Sequence, residues 1–469
     1  MPPPAVPDPT RDDWLRLIGG EIGLADLRTR TLDGIVLDPI FARTQENPLH
    51  GRADPAIWDI SCLHAGDDPV LVQAAIADDI AGGATSIALK LATPGEFGLA
   101  PRYQAITAAL AGVAIEHTEI SFASGDQYFG AAQVLMALWE KTGRHPADLR
   151  AGLHADPLGA LARTGALEAG LWPSLELLGQ FVATNILPWP EVRLLLADGT
   201  LYHDAGASEA QELAAMLATV IEYLRVLDFE GVSGEELFPH LTVGLAADAD
   251  LFSTIAKLRA ARLLLARLAD TIKGTTGVHR IKLWVTTSQR MLTIRAVHGN
   301  ILRNSIAAIG AVLGGADAIT VLPHTWVAGR PDAGAQRLAR NTHLLMAEES
   351  GLARVLDPGA GSGHIAALTD ALARRAWVLF QEIEESGGMA RSLLDGSVQE
   401  GIASTAARRE KALIEGELAI TGVTSFAADE SLLAIAPHPM PAPIERAETR
   451  VPALPVRRVS AAFETKEST

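Results

Sequence analysis

Cysteine is nearly absent: Cys62 is the only one in 469 residues. That excludes an internal disulfide framework and a cysteine-rich metal site, and it fits a reducing cytosol. Aromatic residues make up only 5%, and basic residues are outnumbered, 39 Lys and Arg against 56 Asp and Glu, for a formal net charge of -17. A chain of that sign disfavours nucleic acid and anionic membranes as partners. Apolar runs such as Ala307–Leu313 are short and soon interrupted by Asp317, so none reads as a membrane span. The opening M-P-P-P-A-V-P-D-P-T has neither a basic n-region nor an apolar h-region, so it does not read as a signal peptide. With no H-E-x-x-H motif, no H-x-H on the first strand and no second Cys, a metal site is not expected.

Apolar residues, by contrast, amount to 48% and glycines to 42, enough for a sizeable core. The stretch Val192–Leu227 sets the pattern. An apolar strand run leads through Asp198-Gly199 to Tyr202-His203, and Ser208 with Gln211 then opens a long Ala/Leu helix as a capping box. Such strand–helix units recur. Strands are expected near Trp58–His64, Thr85–Leu91, Val113–Phe122, Leu149–His154, Val192–His203, His240–Leu245, Ile281–Thr287 and Ala318–His324. Amphipathic segments such as Leu71–Ala81, Leu251–Ile272 and Leu302–Leu313 lie between them. Eight units match an α/β fold of the (β/α)8 TIM-barrel type, with an open doubly wound sheet as the alternative, because periodicity does not show closure. The chain divides into an N-terminal arm (1–54), the barrel (55–335), a helical extension (336–435) and a Pro-rich tail (436–469) of linker composition, which points to a missing domain. In the extension, Gln336–Glu349, Asp370–Glu385 with Thr369 as N-cap, and Ile402–Gly416 read as helices.

His64, His154, His203 and His324 fall at or next to expected strand C-termini, where a barrel carries its chemistry. There imidazole serves as acid, base or neutral donor, or simply lines the mouth. The loop V-L-D-P-G-A-G-S-G, Val355–Gly363, looks like the glycine loop of an S-adenosylmethionine methyltransferase, but no strand series follows it, so a plain backbone turn is the better reading. Lys257, Arg259, Arg262 and Arg267, spread over several faces of one helix, read mostly as solvated charges.

Three segments carry a family resemblance: I-A-K-L-R-A-A-R-L-L (Ile255–Leu264), L-A-R-N-T-H-L-L-M-A-E-E-S-G-L-A-R-V-L-D-P (Leu338–Pro358) and Tyr202-His203. They resemble methylmalonyl-CoA mutase and its acyl-CoA mutase relatives over about residues 55 to 425. The resemblance implies a TIM barrel that binds a CoA ester through its axis, with adenosylcobalamin supplying a radical from a C-terminal domain seated on the mouth. His203 stands at the family's thioester-binding His, and His324 at its last-strand His. Elsewhere the match departs: Ser61 and Leu63 replace an Arg and the catalytic Tyr, His154 replaces a Gln, and Lys282 replaces an Arg whose bidentate fork a lysine lacks. The cobalt-ligating motif D-x-H-x-x-G is not found. The resemblance therefore implies a cytoplasmic, non-catalytic small subunit. Its vestigial pocket would comprise Leu63, His154, His203, Lys282 and His324. It would bind no cofactor itself and would stabilise a larger catalytic subunit that carries the adenosylcobalamin. An active barrel chain whose cobalamin domain is a separate polypeptide is the alternative.

Overall fold

The computed structural model describes residues 11–42 apart from 19, 58–272, 278–427, 435–438 and 441–464. The Pro-rich first ten residues and the arm–barrel boundary at 54/55 lie outside them. Eight parallel strands close into a barrel: β1 (Asp59–His64), β2 (Ser86–Lys90), β3 (Glu119–Ala123), β4 (Ala151–Ala155), β5 (Val192–Asp198), β6 (Leu241–Ala247), β7 (Lys282–Thr287) and β8 (Ala318–Thr320). Each pairs with the next, and β8 returns to β1 with Ala318 opposite Asp59. The expected TIM barrel is therefore present, and closure rules out the open sheet. Helices cover the outer wall, so β5 and β6 are buried along almost their whole length, which explains their nearly unbroken apolar sequence.

Several boundaries differ from the sequence reading. Val113–Thr118 forms turns, and β3 begins only at Glu119. β5 stops at Asp198, whose carboxylate accepts the Thr200 N–H at 2.9 Å and starts a short helix, Thr200–Asp204, so Tyr202 and His203 are helical. β8 ends at Thr320, four residues before His324. The capping box is present as expected: Ser208 accepts from the Gln211 N–H and opens the Glu209–Phe229 helix. The extension's long helix begins at Gly363, capped by Ser362, rather than after Thr369, which is buried within it. The glycine loop before it is a turn, anchored by Asp357, which accepts from Arg259 at 2.7 Å.

The tail is not a free linker. From Ala436, which accepts the Arg330 N–H, it crosses the C-terminal face of the barrel. His438 stacks on Phe97 at 3.9 Å, and Thr449–Arg450 pairs antiparallel with Ala166–Leu167. Backbone N–H groups of Leu454, Arg457 and Val459 then donate to Ala162, Asp204 and Arg290 carbonyls. Glu464 fastens the end by accepting the Ile294 N–H at 2.7 Å. Proline suits such a strap because it needs few ladder donors.

The arm docks on the chain's own body. A small hairpin pairs Thr29–Arg30 with Val36–Leu37, and Asp33 at its turn accepts from the Ser208 hydroxyl and, at 3.3 Å, from the Ala210 N–H. Burial, with Glu209 nearby, pushes the Asp33 carboxyl up to about 6. A docked-state pKa above the free value means docking is favoured in acid and lost as pH rises through about 6. Hydrogen exchange of residues 29–37 should therefore quicken between pH 4 and 7, roughly ten- to a hundredfold beyond the intrinsic pH effect. Asp33→Asn should abolish that excess.

Candidate functional site

The C-terminal mouth holds a cavity of about 440 Å³. Leu63, Phe97, Trp284 and Trp326 form its apolar walls, and Ile444 and Leu454–Val456 of the strap roof it. Its polar wall is a linked set: Arg163 donates to Asp198 at 3.0 Å, and Glu96 lies between Arg163 (3.4 Å) and Lys90 (3.6 Å). Burial pulls Lys90 down despite Glu96, and burial beside Asp198 pushes Asp156, which accepts from the Tyr223 hydroxyl, up to about 7.

Beneath the mouth the axis is packed. Ser61, Ser86 and Ser121 leave space that His154 and Trp284 fill, and the void between them is about 10 Å³, room for no more than about one water. A register shift in β4 aims His154 there. Its φ is +49°, its Nε2 meets Thr242 Oγ1 at 3.2 Å, and its ring lies 5.0 Å from that of Trp284. Gly152 is required: a Cβ there would meet the imidazole at 2.5 Å. Burial, aided by Lys282, lowers His154 to about 3, so it is a neutral filler. At the N-terminal end of the axis Lys282 pairs with Asp59 at 2.8 Å and Glu119 at 2.6 Å. Burial opposes its charge, but the two carboxylates outweigh that and raise it.

His203 is fully buried behind the mouth and does not line the cavity. Its Nδ1 lies 3.1 Å from Glu212 Oε2, and its Nε2 lies 2.9 Å from Ser288 Oγ and 3.3 Å from Asp248 Oδ2. Lys257, also fully buried, donates to Glu212 at 2.5 Å, while Arg290 binds Asp248 at 2.8 Å and the His203 carbonyl. Burial raises Glu212, but Lys257 and His203 prevail and hold it below the usual carboxylate range. His324 follows β8, 5.7 Å ring to ring from His298, and burial lowers it.

The five expected pocket residues do not all converge, although His154 and Lys282 line the same axial void. Leu63 lines the mouth, His154 plugs the axis, and Lys282 closes the opposite end. His203 is locked in a buried ion network, and His324, buried beyond β8, does not line the mouth cavity. Of the four helix charges only Arg267 is exposed as expected: Lys257, Arg259 and Arg262 are all buried, the last against Asp317 at 2.9 Å. Sequence reasoning missed Glu212, Asp248 and Arg290, and took Lys257 for a solvated charge. Four cations on several faces of one helix were the signal, had their distant carboxylate partners been known. Among the described residues no group of His, Cys, Asp and Glu is arranged to hold a metal.

The family model of methylmalonyl-CoA mutase matches residues 91–462, from the end of β2 to the strap. The chain belongs to the methylmalonyl-CoA mutase family. It is 38% identical over 445 residues to the methylmalonyl-CoA mutase small subunit of Streptomyces virginiae, covering 90% of this chain and 71% of the relative. To the small subunit of Propionibacterium freudenreichii subsp. shermanii it is 32% identical, covering 86% and 64%. The methylmalonyl-CoA mutase of Escherichia coli is 30% identical over 258 residues, 55% of this chain but only 36% of that protein. In this mutase-family barrel, Lys257→Met would strand the buried Glu212. It should cost roughly 3–5 kcal/mol of stability, read as a fall in urea midpoint at unchanged m-value.

Proposed function

We propose that this chain is the non-catalytic small subunit of a heteromeric, adenosylcobalamin-dependent methylmalonyl-CoA mutase, and that it stabilises a larger catalytic subunit. The observation that carries the reading is the filled axis. An extended CoA ester has no path past His154, Trp284 and the Lys282 ion pairs. The relatives' names supply the subunit class, and the strap and cavity bear on the cofactor. A corrin ring is far larger than a 440 Å³ space already roofed by residues 443–456, so the mouth residues do not fit adenosylcobalamin. The cofactor would belong to the partner chain.

What this chain's residues do is hold a shape. Lys282, Asp59 and Glu119 clamp one end of the barrel, and the His203–Glu212–Lys257 set fixes the β5 and β6 ends against their helices. Expressed together with the larger mutase chain of the same genome, the His203→Ala complex should turn over within about twofold of the parent, per assembled complex. Loss of turnover from a complex that still assembles would place catalysis in this barrel and overturn the reading.

A further inference from the structure

The mouth cavity of about 440 Å³ equals the liquid volume of roughly fifteen waters, within the range of pockets that enclose small organic molecules. Leu63, Phe97, Trp284 and Trp326 wall it, and the strap covers it with Ile444 and Leu454–Val456. That cover is fixed: Thr449–Arg450 pairs with Ala166–Leu167, and the Leu454 N–H donates to the Ala162 carbonyl. Directly below, side chains leave a void of only about 10 Å³. A fold that packs its axis so closely leaves this chamber open above it.

Much of the hydrogen bonding on the chamber wall is spent. Trp284 and Trp326 donate to Thr320 Oγ1 and Gln289 Oε1, and Ser124 and Thr164 donate to the Leu153 and Ala160 carbonyls. Lys90 differs. Its side chain is only 16% exposed, yet its carboxylate neighbour, Glu96 Oε1, is 3.6 Å away and is shared with Arg163 Nε at 3.4 Å. Its ammonium also lies over the face of Phe97, 5.0 Å from the ring centre. Among the described residues none of its three donors has an acceptor at hydrogen-bond length. Withdrawing such a group from water is costly, and burial pulls Lys90 down accordingly. An acceptor on a bound molecule would supply what the protein does not.

The surrounding charge selects the kind of acceptor. Lys90 and Arg163 are offset by Glu96 and Asp198, while Asp204 accepts from the Gln289 and Arg290 N–H groups. Arg450, on the strap, is exposed and turned to the Ile444 and Glu445 carbonyls. Asp156, pushed up to about 7 by burial beside Asp198, carries less than a full charge near neutrality. An added carboxylate would be an uncompensated anion among these acids, and an added ammonium would face Lys90 and Arg163. Either is expensive out of water, and an uncharged molecule avoids both costs.

We infer that the covered mouth chamber binds a small uncharged molecule, mainly apolar, that carries a carbonyl-type acceptor for Lys90. The inference goes beyond the small-subunit reading and does not depend on it.

The test is isothermal titration of the full-length chain with three probes that share one skeleton and differ in the head group. Hydrocinnamamide is uncharged, hydrocinnamate is its anionic counterpart and phenylpropylamine its cationic one. Two variants accompany the parent. Lys90→Met removes the donor and leaves Glu96 to Arg163, and Leu63→Trp fills the chamber from β1, so either reports on the site if the other fails to fold. The expected result is saturable binding of the amide with a sub-millimolar Kd, at least about tenfold weaker for both charged probes. In Lys90→Met the amide should bind at least about tenfold more weakly, and in Leu63→Trp binding should be lost. An amide that does not saturate, or that binds Leu63→Trp as it binds the parent, overturns the site. A charged probe that binds as tightly as the amide overturns the ligand class, and unchanged affinity in Lys90→Met overturns the role of Lys90. None of these failures touches the pairing with a larger subunit, which the co-expression experiment tests separately.

Discussion

A closed barrel of eight parallel strands encloses a space that must either be packed by side chains or be left for a ligand. Here the choice turns on β4. Its register shift puts His154 in the left-handed region and points the ring inward, Gly152 makes room for it, and Trp284 meets it from the opposite side. The serines on β1, β2 and β3 keep the small side chains of an open axis, but the opening is gone. Two polar groups in that interior are already engaged: Trp284 donates to Thr320 at 2.9 Å, and Lys282 is neutralised by two carboxylates.

The same logic governs the ring of charge behind the mouth. His203, Glu212, Lys257, Asp248 and Arg290 satisfy each other in a region shielded from solvent except at Asp248. Removing one partner leaves an uncompensated charge in low dielectric, so the set is rigid, whether or not it is worth more than apolar packing. It joins the β5 and β6 ends to the helices that follow them, and the strap lies over it through the Asp204 and Arg290 carbonyls. A histidine held by two carboxylates and a serine hydroxyl serves architecture here.

Much of the fold was legible in the sequence. Strand–helix alternation from Trp58 to His324 implied the barrel, and Ser208 with Gln211 marked a helix start that the structure places at the same residues. The site was less legible. Strand ends were set too late at His203 because the Asp198–Thr200 hydrogen bond, a local turn device, has no periodic signature. His154 looked like a mouth residue because its left-handed backbone, which lays the ring over Gly152, is invisible in a pattern of apolar and polar letters. The buried helix cations looked solvated because their partners, Glu212, Asp357 and Asp317, are distant in sequence. The tail's prolines were read as a linker, yet they serve equally in a strap anchored by scattered backbone contacts.

The central claim is that this barrel has no room for the ester its family acts on. Isothermal titration of the purified chain with methylmalonyl-CoA tests it most directly. The account predicts no saturable heat up to millimolar ligand, about -4 kcal/mol of binding at most. A Kd in the micromolar range, lost when the ester is replaced by a CoA derivative too large for the mouth, would contradict it.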